Sequence, residues 1–127
     1  MSAVTYDREK ALRLLRLLES IAREIEDRDE ALRRVDAELR ELERAGRGRS
    51  REAGCLNAEA SLHLRELRCA RSEIEGLGCS VIGFDPPTVR IPGPKGSQTP
   101  GWLWQLGQAC LREVRSLEIA GVVEGAG

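Results

Sequence analysis

The amino-acid sequence predicts an α+β fold, a long antiparallel helical hairpin followed by a small antiparallel β-sheet. Three observations carry that prediction. Apolar residues recur by alternating steps of three and four from Ala11 to Leu42. A second run with the same period follows a short glycine-containing break. After Gly78 the period gives way to short alternating stretches separated by proline and glycine.

The first helix runs from about Asp7 to Ala45, a stretch without glycine or proline. Its seam reads Ala11, Leu14, Leu18, Ile21, Ile25, Arg28, Leu32, Val35, Leu39 and Leu42, so nine of ten positions are apolar. A seven-residue pattern held this long marks a helix packed lengthwise on another helix. Arg28 is the exception: it can pair with Glu73 or Glu75 of the second helix, or act as a polar device that fixes register. Leu12, Leu15, Leu17 and Ala22 widen the apolar face near the N-terminus only. Thr5 or Asp7 can cap the start.

Gly46 and Gly48 suit a C-terminal cap and a turn. The second helix starts at about Arg51 or Cys55 and ends at Leu77, with the seam Leu56, Ala60, His63, Leu67, Ala70, Ile74 and Leu77. Matching seams joined by a short break give an antiparallel pair. Cys79 to Phe84 and Thr88 to Ile91 then read as strands around an Asp85-Pro86-Pro87 turn. Pro92 to Gly101 is a loop by composition, and Trp102 to Leu106 a third strand with both tryptophans on one face. Leu111 to Ile119 fits a fourth strand or a short helix. The whole is expected to be one domain over residues 1–127, with the hairpin over 5–77, the β region over 79–120 and a frayed tail over 121–127.

Helix lengths impose a requirement. At 1.5 Å per residue the first helix is about 58 Å long and the second about 35 Å. The second therefore reaches back only to about Arg23, leaving the widest apolar face of the first without a helical partner. Each buried Leu or Ile contributes roughly 1.5–3 kcal/mol, so either the sheet or a second copy of the chain must cover that face. Self-association there would give a homodimer with a two-fold contact.

Composition excludes several classes. Lys plus Arg total 20 and Asp plus Glu total 21, which removes the broad basic footprint of a nucleic-acid binder. No apolar run approaches the roughly 20 residues that span a bilayer, and the first residues lack the features of a signal peptide. The expected location is cytoplasmic, with no membrane or nucleic-acid partner. Cys55, Cys69, Cys79 and Cys110 stand singly, without zinc-ligand spacing, and read as free thiols. No cofactor or metal is expected.

Few residues suggest chemistry. His63, the single histidine, lies on the seam, where it can face Asp36 or Glu38; it suits a metal ligand or base, but better an interfacial hydrogen bond. Cys55 lies near a helix N-terminus, which can lower a thiol pKa. Trp102 and Trp104 can form a ligand platform or partner patch, or cap the sheet against the helices.

The order of these elements, with Glu73 to Gly78, Val89 to Pro92, Trp104 to Gln108 and Arg115 to Ile119, resembles the bacterial domain-of-unknown-function family numbered 2203. That family has two helices, then a β region with a motif like Leu-Cys-Trp-Arg-Leu-Gly-Glu and another like Trp-His-Glu. Trp104, Gly107 and Glu118 correspond. Leu103 stands in place of the family's cysteine, Gln108 in place of its glutamate, and Ser116 and Leu117 in place of its tryptophan and histidine. If those polar positions form a metal or catalytic site in relatives, this chain has lost it. The resemblance implies no activity and adds Gln108 and Glu118 to Trp102, Trp104 and His63 as candidate ligand- or partner-binding residues. The expected function is a non-catalytic interaction or assembly domain that self-associates through its helices. The alternative is a small-ligand or enzyme accessory domain with a pocket between sheet and helices.

Overall fold

A computed structural model of the chain describes residues 5–94 and 100–114. Helix α1 spans Arg8–Arg44 and α2 spans Arg51–Gly76. Strands β1 (Ser80–Phe84), β2 (Pro87–Pro92), β3 (Gly101–Gln105) and β4 (Arg112–Glu113) follow, forming one antiparallel sheet in the order β1-β2-β3-β4. The α+β architecture is that of a helical hairpin carrying a small sheet. Of the segment from Leu111 to Ile119, the described part holds the two-residue β4, and residues 115–127 lie outside the described residues.

Side-chain caps and glycines fix the helix ends. Asp7 Oδ1 accepts from the Lys10 backbone N–H at 2.8 Å, and Ser50 Oγ accepts from that of Ala53 at 3.2 Å. Both C-termini close in the same way. Gly46 and Gly78 take φ of 74° and 82°, in the left-handed region that side chains disfavour. The next residues then turn back, Arg47 N–H donating to Leu42 O and Cys79 N–H to Ile74 O. At Gly101, φ is 148° and an added Cβ would collide with the Ile91 carbonyl, so only glycine lets β3 approach β2 there.

The core lies between the sheet and the N-terminal half of α1. Ala11, Leu18, Ile21, Ala22 and Ile25 share it with Ala70 and Ile74 of α2 and with Val89, Ile91, Trp102 and Trp104. The alternation of β2, with Pro87, Val89 and Ile91 buried, turns those residues toward the helices. Trp104 pairs with Val89 and Trp102 with Ile91 across the strands. The tryptophans therefore cap the sheet against the helices. Tyr6 fastens the start of the chain over the same core: its N–H donates to Pro92 O at 3.1 Å and its hydroxyl to Leu77 O at 2.6 Å.

The sheet thus covers the apolar face of α1. The expected reach of α2 is corrected: it starts at Arg51, and Ala70 and Glu73 lie alongside Ile21 and Ser20, beyond the level of Arg23. The widened apolar stripe is only partly used. Ala22 is buried, whereas Leu12 and Leu17 remain 42% and 47% exposed.

Replacing fully buried Ile74 by alanine should lower unfolding free energy by about 2–5 kcal/mol. Leu12→Ala should stay within about 0.5 kcal/mol of the parent. Urea titration followed by tryptophan fluorescence measures both.

Candidate functional site

Folding the chain at Gly46 to Ser50 brings residue 28 level with residue 63. Arg28 Nη1 lies 3.1 Å from His63 Nδ1, and Arg28 Nε donates to Glu24 Oε1 at 2.7 Å. Arginine has only donors, so in this bond Nδ1 is the unprotonated acceptor and the ring proton sits on Nε2. Nε2 lies 3.5 Å from Glu59 Oε2, which also accepts from Arg34 Nη2 at 2.9 Å. A polar line of Glu24, Arg28, His63, Glu59 and Arg34, with the imidazole between the Arg28 cation and the Glu59 carboxylate, therefore stitches the two helices. The hydrogen bond to Glu24 raises the Arg28 pKa further, so this cation stays charged.

Two expected pairings are corrected by this geometry. Arg28 meets Glu24 and His63 rather than Glu73 or Glu75, which lie further toward the sheet end of α2. His63 faces Arg28 and Glu59 rather than Asp36 or Glu38, which lie nearer the turn. The equal spacing of the two seams about Gly46 already contains this register.

The other candidate residues do not converge with His63. Trp102 and Trp104 are buried in the core at 4% and 2% exposure, and Trp104 Nε1 donates to the Gln108 carbonyl at 3.0 Å. Gln108 lies at the surface beside Thr88, Gln105 and Arg112 in a small polar recess. Glu118 lies outside the described residues. Of the positions carrying the family resemblance, Trp104 belongs to the core and Gly107 takes φ of 97°.

An apolar concavity lies elsewhere. A groove of about 330 Å³ runs where β1 meets the hairpin, lined by Ile25, Asp29, Leu64, Leu67, Arg68, Arg71 and Phe84. Leu64 and Phe84 are 49% and 43% exposed there. The Arg71 guanidinium stands 4.9 Å from the Phe84 ring centroid, a cation–π contact. Sequence reasoning expected a pocket between the sheet and the helices but lined it with Trp102, Trp104 and His63, none of which borders this groove. Ile25 and Leu67 of its lining belong to the two seams, whereas Leu64, Arg68, Arg71 and Phe84 lie off them, and the available signal was the off-seam Leu64 beside His63 on α2.

Among the described residues, no group of three or more His, Cys, Asp or Glu side chains is placed to hold a metal ion. No helix among them is long and apolar enough to cross a membrane. Of the thiols, Cys55, Cys69 and Cys110 are exposed and Cys79 is buried. Burial pushes the Cys79 thiol up to about 11 and, with Cys79 nearby, raises the Tyr6 hydroxyl as well. No family model, curated protein or solved structure matches the chain.

His63→Leu should lower the melting temperature, because Arg28 loses its acceptor on α2 and keeps only Glu24. Adding Arg28→Leu should recover much of the loss by continuing the apolar seam; thermal melts of the single and double variants check this. Cys79 and Tyr6 stay protonated in the folded chain where the unfolded chain would ionise. That stability is complete below the unfolded values and is lost as pH rises through the folded ones. For Cys79 the window runs from 9.0 to about 11. Melting temperature should fall across it, less steeply in Cys79→Ala. A thiol reagent should reach Cys79 only after denaturation.

Proposed function

We propose that the chain is a non-catalytic interaction and assembly domain that pairs with a second copy of itself through its helical hairpin. One observation carries the reading. Among the described residues, no third layer covers the hairpin beyond the reach of the sheet, and its apolar residues there are under-covered. Only Val35 and Ala53 are buried in that arm, while Leu32, Leu39, Leu42 and Leu56 are half-buried and Leu62 is 45% exposed. Two antiparallel helices bury a narrow strip between them; stable bundles add further helices to enclose it. A second hairpin supplies those helices from the same sequence, in a contact that closes by symmetry.

The groove beside β1 supports a second reading, a small-ligand domain. Its volume lies at the low end of the range for small-molecule sites, and Arg68 and Arg71 on its rim favour an anionic ligand. It lies between the helices and the sheet, without the two tryptophans or His63.

Light scattering over a wide dilution series decides between them. The assembly reading expects twice the chain mass, with dissociation only at low concentration. A monomer at every concentration would remove it and leave the ligand reading standing.

A further inference from the structure

We propose that the second copy docks on α2, along a stripe formed by Arg51, Cys55, Leu62, Cys69 and Glu73, with the two α2 helices antiparallel about a two-fold axis at Leu62. This rests on the self-association reading and adds the surface, register and orientation.

The stripe follows from helical spacing. Cys55, Leu62 and Cys69 are seven residues apart and form one column along the helix. All three are exposed, Leu62 by 45%. The column belongs neither to the seam, where His63, Ala70 and Ile74 face α1, nor to the groove side, where Leu64, Arg68 and Arg71 approach the sheet. Cys69 instead borders a recess with Ser20, Glu24, Glu66 and Glu73, across the hairpin from that groove. Among the described residues, only residues of the two helices border that recess.

The charges point to an antiparallel mate. Arg51 opens α2, where the helix dipole disfavours a cation, and Glu73 and Glu75 close it without a basic residue in the last turn. Among the described residues neither Arg51 nor Glu73 has an ion-pair partner. An antiparallel α2 reverses both placements at once. Arg51 and Glu73 each lie eleven residues from Leu62, so the two-fold sets Arg51 of one copy against Glu73 of the other. Cys55 and Cys69 each lie seven residues from Leu62, so the same operation sets them face to face, and Leu62 meets itself. Glu59 and Arg65, three residues to either side, also come level. Read backwards, the stripe complements itself, as an isologous contact demands.

Single-thiol chains test this arrangement. In a Cys110→Ser background, with Cys79 buried, one chain carries Cys55→Ser and another Cys69→Ser. Each is treated with a short bis-maleimide alone and after mixing. The expected result is a covalent dimer from the mixture and none from either chain alone. Leu62→Glu should weaken the dimer by about a hundredfold or more, because it sets two carboxylates against each other at the axis; circular dichroism confirms that this exposed-site variant is folded. A wild-type dimer whose mixture fails to cross-link, and which Leu62→Glu leaves intact, overturns this surface while self-association stands. Cross-linking of either single-thiol chain by itself overturns the Leu62-centred register. A monomeric wild type removes both readings.

Discussion

The unequal length of the two helices is the constraint on which the rest of this structure depends. Helix α1 has 37 residues and α2 has 26, so one apolar face must run on past its helical neighbour. The left-handed Gly78 turns the chain back where α2 ends, and the strands then fall across that face. The sheet stands in for a third helix. Its two tryptophans supply much of the volume, in a chain whose aromatic content is 3%. Tyr6 completes the closure by bonding at once to β2 and to the C-terminus of α2.

Away from the sheet the hairpin changes character. Ion pairs such as Arg33–Asp29 and Arg44–Glu41 lie within one helix and at its surface, where each contributes roughly 0–1 kcal/mol. The links between helices are the Arg28–His63 contact, the Arg34–Glu59 pair and a thin apolar seam. A polar pair in such a seam discriminates against slipped registers, since sliding one helix would strand a cation among leucines. The arm is consequently well specified in register and modestly stabilised by burial.

Its surfaces divide by chemistry. On the sheet side a groove joins exposed Leu64 and Phe84 to the cations Arg68 and Arg71. Elsewhere on α2 two exposed thiols flank an exposed leucine, and charges of opposite sign stand at ends where the helix dipole disfavours them. His63 and the tryptophans, which stood out in the sequence for their rarity, are occupied by structure: an interhelical hydrogen bond and the core. A rare residue type draws notice in a sequence whether it serves packing or binding, and the burial that separates the two uses is a tertiary quantity.

The sequence by itself determined both helices, the glycines that end them, the antiparallel hairpin, three of the strands and the turn between β1 and β2. Each is set by local periodicity, by glycine at positive φ or by proline, all readable within a few turns of chain. It also contained the hairpin register, since the seams are equally spaced about Gly46, although charge alone pointed Arg28 and His63 toward other partners. Tertiary structure alone decided what covers the N-terminal half of α1, that Trp102 and Trp104 face inward, and that a groove opens beside Phe84. Those outcomes depend on how a sheet of four short strands docks on a helix many residues away. No local pattern records the angle of that docking.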